Sequence, residues 1–183
     1  MKRRVGAKEN LAANAILHRL KGGGRNSLGG SDALAASITT ARDFRRLIRG
    51  VWHEDPVVRM RAADVAEKIS RSKPALLLPF KAELLGLLGE ERQQEVRWHL
   101  AAIVPRLPLT GIERRNSAAA FREYLNDRSS IVRTFALQAL FELSQQEPSL
   151  RDSTIEFLHA ALQSGTPAMK ARARKLLKQM ERE

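Results

Sequence analysis

The segment VRMRAADVAEKI, which begins at Val58, has three counterparts further along the chain that align with it without gaps. They are VRWHLAAIVPRL from Val96, VRTFALQALFEL from Val132 and MKARARKLLKQM from Met169. Their first residues stand 38, 36 and 37 positions apart. A nearly constant spacing of this length is typical of repeat proteins in which each unit is a pair of helices. The sequence therefore predicts an array of similar helical hairpins.

Each of the four segments is apolar at the same places. If the first residue is repeat position 0, the apolar positions are 0, 4, 7, 8 and 11, which form one stripe along a helix. Position 4 is small in three repeats (Ala62, Ala136 and Ala173), which would let a neighbouring backbone approach. Because neither helix of a pair can bury its stripe alone, the pairs are expected to stack. An amphipathic run that could supply the first helix precedes each segment, over residues 41–52, 75–88, 111–125 and 150–163.

The composition also favours helices, since Ala, Leu, Arg and Glu are abundant and aromatic residues make up 5% of the chain. We expect an all-α fold, an α-α superhelix or solenoid of about four to five helical hairpins. Residues 1–40 are interpreted as a basic N-terminal segment with a degenerate capping hairpin, and residues 41–183 as the repeat array. The glycine-rich stretch 22–30 would join the two helices of that hairpin. A mobile basic tail followed by a linker is the alternative.

The net charge of +12 is concentrated at the two ends of the chain. Residues 1–30 carry seven Lys and Arg against one Glu, and residues 170–183 carry six Lys and Arg against two Glu. The body of the chain, residues 31–169, is left with a net charge of +2. A groove that follows nucleic-acid phosphates needs basic side chains along its length. We therefore expect only weak, unspecific nucleic-acid binding, through the basic termini.

Residue types that carry chemistry are missing or badly spaced. The chain has no Cys, which excludes disulfides and thiolate sites and fits a cytoplasmic location. The four His residues include no pair at i, i+4 and no H-E-x-x-H motif, so no metal site is expected. The glycine-rich stretch matches no phosphate-binding motif. No catalytic residue, no cofactor and no membrane span is predicted.

An acidic residue precedes the Val-Arg pair in two of the repeats. Asp127 stands six residues before Arg133, and Glu91 stands six residues before Arg97. With the small residues that follow, this pattern resembles the HEAT repeat family, and the resemblance extends over the whole array. It implies that these side chains form a ladder of acidic and basic groups between neighbouring repeats. The chain is also similar to the small stand-alone HEAT proteins of bacteria, which implies no particular activity.

The first and last repeats lack the acidic residue of the ladder. His53 and Ser164 stand in its place, so the ladder is expected to be incomplete at its ends. Arg59 of the first repeat is still expected to take part. The alternative is that Arg59 and its equivalents form a row of anion contacts along the inner face.

In HEAT arrays the second helix of each hairpin lines the concave side of the superhelix. Repeat position 2 lies about 170° from the centre of the apolar stripe, and position 9 lies nearby. These positions carry Met60, Trp98 and Phe141, which we expect to be exposed and to form an apolar strip for partner binding. The alternative is that Trp98 folds back over a neighbouring helix.

The sequence thus predicts a non-enzymatic binding or scaffold protein that takes a protein or peptide partner on its concave face. The alternative is a nucleic-acid binding protein resembling the HEAT-like alkylpurine DNA glycosylases, in which Asp64 and Trp98 would contact the nucleic acid. The nearly neutral body argues against that alternative. An accessory lyase that attaches bilin pigments is a third possibility, and it rests on the repeats alone.

The repeat register can be tested at position 4. Because only a small residue fits there, Ala136→Leu is expected to overpack the contact between helices and to lower the free energy of unfolding by about 1–3 kcal/mol. A denaturant or thermal melt measures this change. An unchanged melting temperature would show that the register is wrong.

Overall fold

The computed structural model describes residues 15–21 and 30–182, and these residues form helices and short connections without any β-strand. The expected all-α class is therefore confirmed. The chain divides into two compact units, Met1–Lys81 and Ala82–Glu183. In the first unit the helix at Ser31–Ser37 packs against the helix at Pro56–Ser72, and the expected boundary at residue 40 stays a prediction. Most of the glycine-rich stretch and of the basic N-terminal segment lies outside the described residues.

In the first unit, the helix at Pro56–Ser72 is the element around which the others pack. The described helices are α1 at residues 15–21, α2 (Ser31–Ser37), α3 (Ala41–Ile48) and α4 (Pro56–Ser72). Short 3-10 segments follow α3 and α4, at Arg49–Trp52 and Pro74–Phe80. α4 packs against α2, α3 and both 3-10 segments. A Cβ atom on Gly50 would lie only 2.9 Å from the Cβ of Ala62, so both residues must stay small for the backbones to approach.

In the second unit, the helices are arranged around α8. They are α5 (Lys81–Glu90), which starts at the unit boundary, α6 (Gln94–Ile103), α7 (Gly111–Tyr124), α8 (Ser130–Ser144), α9 (Arg151–Ser164) and α10 (Pro167–Met180). α8 packs against α6, α7, α9 and α10. Ala136 and Ala139 on α8 are fully buried, which allows these close packings on several sides of one helix.

The apolar stripe expected from the sequence is buried. Positions 0, 4, 7, 8 and 11 are buried in all four repeats except at Leu177, which is half-buried. Residues on α8, α9 and α10 pack into one hydrophobic cluster in the second unit. Burial of these side chains is the main favourable contribution to stability, at about 25 cal/mol for each Å² of apolar surface removed from water.

The helices begin where side chains satisfy their first backbone donors. Thr110 and Glu113 form a capping box at α7: the Thr110 hydroxyl accepts from the Glu113 N–H at 3.2 Å, and the Glu113 carboxylate accepts from the Thr110 N–H at 2.7 Å. Side-chain oxygens of Asp55, Ser129 and Thr166 cap α4, α8 and α10. The connections that precede these three second helices therefore supply their N-terminal caps.

Proline shortens two helices that the sequence predicted to be longer. The expected helix 75–88 is a 3-10 segment up to Phe80 and becomes α-helical only at Lys81. Pro79 has no N–H to donate, and its ring disfavours α-helical backbone in the residue before it. In the same way, α6 ends at Ile103 and continues as a 3-10 turn through Pro105.

An ion pair joins successive second helices of the second unit. Arg97 on α6 donates to the carboxylate of Asp127, which precedes α8, at 2.5 Å. The Arg97 Nε donates to the backbone carbonyl of Glu91 at 2.8 Å, and the guanidinium lies 4.7 Å from the ring centroid of Tyr124. The Tyr124 hydroxyl donates to the carbonyl of Leu88 at 3.0 Å. Arg97 and Asp127 are two of the residues expected in the ladder, and they pair with each other; the ladder as a whole stays a prediction.

The buried hydroxyl of Tyr124 makes stability depend on alkaline pH. Burial, with smaller effects of nearby charges, raises the pKa of Tyr124 well above its ordinary value. The unfolded chain releases the phenol proton near pH 10 and the folded chain does not, so stability is full below about pH 10 and falls as the pH rises above it.

Tyr124→Phe tests this dependence. At neutral pH the variant is expected to lose about 0.5–1.5 kcal/mol of unfolding free energy, because the Leu88 carbonyl loses its donor. Between about pH 9 and pH 11 it should lose less stability than the wild type. Tyr124 is the only tyrosine in the chain, so phenolate absorbance reports on it alone. An ordinary pKa for that absorbance in the folded protein would contradict the assignment.

Candidate functional site

Side chains on the second helices of the second unit line an open cavity of about 240 Å³. We call it the helix-face cavity. α6, α8 and α10 each contribute to its lining. The lining residues are Ala102, Arg106, Phe135, Gln138, Glu142, Arg172, Lys175 and Gln179.

These residues occupy repeat positions 3, 6 and 10. Phe135 and Arg172 stand at position 3, Gln138 and Lys175 at position 6, and Glu142 at position 10. Positions three, four and seven residues apart lie on the same side of a helix. The second helices of three successive repeats therefore present the same side to this cavity.

Hydrogen bonds fix the polar side chains in the middle of the cavity. Arg172 on α10 donates from Nη1 to the amide oxygen of Gln138 on α8 at 2.6 Å. The amide nitrogen of Gln138 donates to the carboxylate of Glu142 at 2.8 Å. Arg106 and Lys175 add two further cations to the lining. Three basic groups against one acidic group give the cavity a positive balance, which suits an acidic ligand.

An aromatic pair lies beside the cavity. The ring centroids of Trp98 on α6 and Phe135 on α8 are 5.2 Å apart, with an angle of 38° between the rings. Both side chains are half-buried, and Phe135 lines the cavity itself. Trp98 also stacks on the adjacent His99, which is buried. Trp98 is thus neither fully exposed for partner binding nor fully folded back over a neighbouring helix, which are the two alternatives from the sequence.

The expected exposure of Met60 and Phe141 is wrong. Met60 is 9% exposed and Phe141 is 8% exposed. Phe141 belongs to the hydrophobic cluster of the second unit, where Leu137 and Leu158 are also buried. No exposed apolar strip runs through these residues, and their assignment as partner-binding residues stays an untested prediction.

The error has a geometric cause. The expected surface was placed opposite the apolar stripe, as if each helix were covered on one side only. A second helix inside the second unit packs against its hairpin partner and against second helices on either side, so positions 2 and 9 are also covered. Thr134 at position 2 and Pro105 at position 9 are buried accordingly. The open side is centred on positions 3, 6 and 10, about 70° further around the helix.

Asp64 lies in the first unit and takes part in internal ion pairs. It is 6% exposed, and the Lys68 ammonium lies 3.3 Å from its carboxylate and 2.8 Å from that of Asp32. Burial acts to lower the pKa of Lys68, but bonds to Asp32 and the charge of Asp64 outweigh it and raise the pKa. Arg61, on the same side of α4, donates to the Leu20 carbonyl at 2.8 Å. In α4, repeat positions 3, 6 and 10 are Arg61, Asp64 and Lys68, and their side chains make contacts within the first unit.

The remaining ladder residues differ from the Arg97–Asp127 pair. Arg59 donates to the backbone carbonyls of His53 and Glu54 at 3.0 and 3.2 Å. One carboxylate oxygen of Glu91 accepts from the backbone N–H groups of Arg92 and Gln93, both at 2.7 Å. Arg133 lines a second cavity, at the ends of α7 and α9.

Neither a metal site nor a membrane-spanning helix is found in the described part of the chain. Within residues 15–21 and 30–182, no group of three or more His, Asp and Glu side chains is arranged to hold a metal ion. No helix in the described part of the chain is long and apolar enough to cross a membrane. Comparison with protein-family models, with curated proteins and with solved structures gives no match for this chain.

Substitution of Trp98 tests whether this side chain is available for binding. Trp98→Ala is expected to lower the free energy of unfolding by about 1–2 kcal/mol, mainly through the lost contact with Phe135. The matched control is Phe121→Ala, which removes a fully buried aromatic from the same unit and should cost about 3–5 kcal/mol. Equal losses in the two melts would assign Trp98 to the core.

Proposed function

We propose that this chain is a non-enzymatic binding protein, a HEAT-type solenoid whose helix-face cavity takes an acidic segment of a protein partner. The observation that carries the proposal is one cationic cavity lined by repeat positions 6 and 10 of three successive repeats and by position 3 of the last two. The superhelical arrangement and the concave placement of this cavity are part of the proposal.

The repeats support the architectural part. Their spacing is nearly constant, their apolar stripe is buried, and an ion pair links Arg97 to Asp127 of the next repeat. Contacts between like helices, α6 with α8 and α8 with α10, are what stacking of hairpins requires. A right-handed superhelix is the expected result of such stacking in this type of repeat.

The chemistry of the cavity supports an acidic peptide as the ligand. Arg106, Arg172 and Lys175 can pair with carboxylates, and Trp98 with Phe135 offers an adjacent aromatic surface for an apolar side chain. Aromatic and arginine side chains are the residue types that contribute most to protein interfaces.

A charge-reversal pair on one helix tests the proposal. Lys175→Glu places an acid in the cavity, whereas Arg174→Glu makes the same change on an exposed neighbour that does not line it. Tagged wild-type and variant proteins are used to capture partners from the native cell, with quantitative mass spectrometry. We expect Lys175→Glu to weaken partner capture about three- to tenfold and Arg174→Glu to leave it nearly unchanged.

Trp98→Ala provides the apolar arm of the same experiment. It is expected to weaken binding of the captured partner by about 2 kcal/mol or more, which is roughly thirtyfold. Equal capture by wild type, Lys175→Glu and Trp98→Ala would contradict the proposed site. Capture that disappears after nuclease treatment at about 150 mM salt would favour the nucleic-acid alternative instead.

A further inference from the structure

A second cavity in the same unit lies at the ends of α7 and α9 and contains an arginine with an unusual environment. Its volume is about 430 Å³, within the range of small-molecule sites. Arg133 of α8 lines it, together with Arg122, Asn126, Phe157 and Ser164. We call it the Arg133 cavity. Arg133 stands two residues before Phe135, about 200° around α8, so this cavity is on the opposite side of the helix from the helix-face cavity.

The preceding repeat shows how the protein satisfies the equivalent arginine. Arg97 occupies repeat position 1 of its helix, as Arg133 does one repeat later. The Arg97 guanidinium is enclosed by the Asp127 carboxylate at 2.5 Å and by the Tyr124 ring at 4.7 Å. Its Nε donates to the Glu91 carbonyl. A carboxylate, an aromatic ring and a carbonyl therefore surround this arginine.

The next repeat omits both enclosing side chains. Tyr124 and Asp127 stand eight and five residues before Val132, and the residues at the same distances before Met169 are Ala161 and Ser164. A phenol ring and a carboxylate are thus replaced by a methyl group and a hydroxyl. Both Ala161 and Ser164 line the Arg133 cavity. The cavity occupies the space that the larger side chains fill one repeat earlier.

Arg133 is left without an internal partner. Its Nε is buried and makes no hydrogen bond. Among the residues that the structure describes, none forms a hydrogen bond or an ion pair with the Arg133 side chain. A buried guanidinium N–H without an acceptor is costly, and an anion that enters the cavity and accepts from the half-buried Arg133 side chain would relieve that cost.

The rest of the lining fits a ligand with one charged end and one apolar part. Leu125, Leu137, Phe157 and Met169 provide an apolar wall. The Arg122 guanidinium lies 5.8 Å from the Phe157 ring centroid and adds a second cation beside Arg133. Glu123 is the one acidic residue of the lining, so the balance there is positive.

We propose that the Arg133 cavity binds a carboxylate attached to an aromatic group, the combination that Asp127 and Tyr124 supply to Arg97. The carboxylate pairs with the Arg133 guanidinium, and the ring lies where Ala161 leaves space, against Phe157. Such a ligand comes either from an acidic peptide or from a small aromatic acid. The site does not depend on the proposed function, because it uses other residues on the other side of α8.

Two pairs of probes distinguish these sources. The small-molecule pair is 3-(4-hydroxyphenyl)propionate and its neutral amide. The peptide pair is acetyl-Tyr-Leu-Asn-Asp-amide, with the sequence of residues 124–127, and the same peptide ending in Asn. Binding is followed by amide chemical shifts of the labelled full-length protein. The small acid is expected to bind with a dissociation constant on the order of 1 mM, as its size allows.

Binding by either acidic probe, with its neutral counterpart at least about tenfold weaker, supports the proposal and identifies the source. Arg133→Gln should abolish the difference between acid and amide. Arg128→Gln, an exposed arginine outside the lining, should preserve it. Lys175→Glu should leave both probes unaffected, which separates this site from the helix-face cavity.

Ser164→Asp tests the site without removing the arginine. The new carboxylate takes the repeat position of Asp127, so it should pair with Arg133, exclude both acidic probes and raise the melting temperature. Absence of saturable shifts with both acids up to about 10 mM would overturn the proposal. Equal binding of acid and amide, or undiminished binding to Arg133→Gln, would overturn it as well.

Discussion

Coverage of α8 by four neighbouring helices is the constraint on which the second unit depends. α8 packs against the second helices α6 and α10 and against the first helices α7 and α9. Only a narrow side of α8 is therefore left open to a ligand. Close packing on so many sides requires small residues, and Ala136 and Ala139 meet that requirement. The same coverage removes Thr134 and Phe141 from the surface. Packing therefore determines both the stability of the unit and the location of its open surface.

The sequence predicted the buried side of the helices much better than the open side. Residues at positions 0 and 4, such as Val132 and Ala136, are identified by their period alone, because an apolar stripe at helical spacing must be buried. The predicted exposure of Met60 and Phe141 is wrong. The helical period of apolar residues identifies one buried side of a helix, but it does not show which further sides are covered by neighbouring helices. One available signal was Gln138, since a polar side chain at position 6 fits an open side.

Proline and repeat differences explain the other departures. Pro79 disfavours α-helical backbone in the residue before it, which the apolar period behind the predicted helix 75–88 does not take into account. The ladder gap at Ser164 was predicted from the missing acid, but the cavity was not. The size of the cavity also depends on the small side chain of Ala161. The sequence alone does not show that Ala161 takes the place of Tyr124, because this is visible only when the surroundings of Arg133 and Arg97 are compared in the structure. The cavity is thus recognised by the departure of one repeat from the repeat before it.

Under the proposed function, the amide of Gln138 affects how quickly an acidic ligand exchanges at the helix-face cavity. Because this neutral group stands between Arg172 and Glu142, it orients the guanidinium while keeping the carboxylate away from it. An arriving acid meets a cation that is already immobile, so little side-chain entropy is lost when the complex forms. The charge of the arginine is only partly compensated, and the acid need not displace an ion pair. Such a surface suits rapid association and equally rapid release, as a transient contact requires.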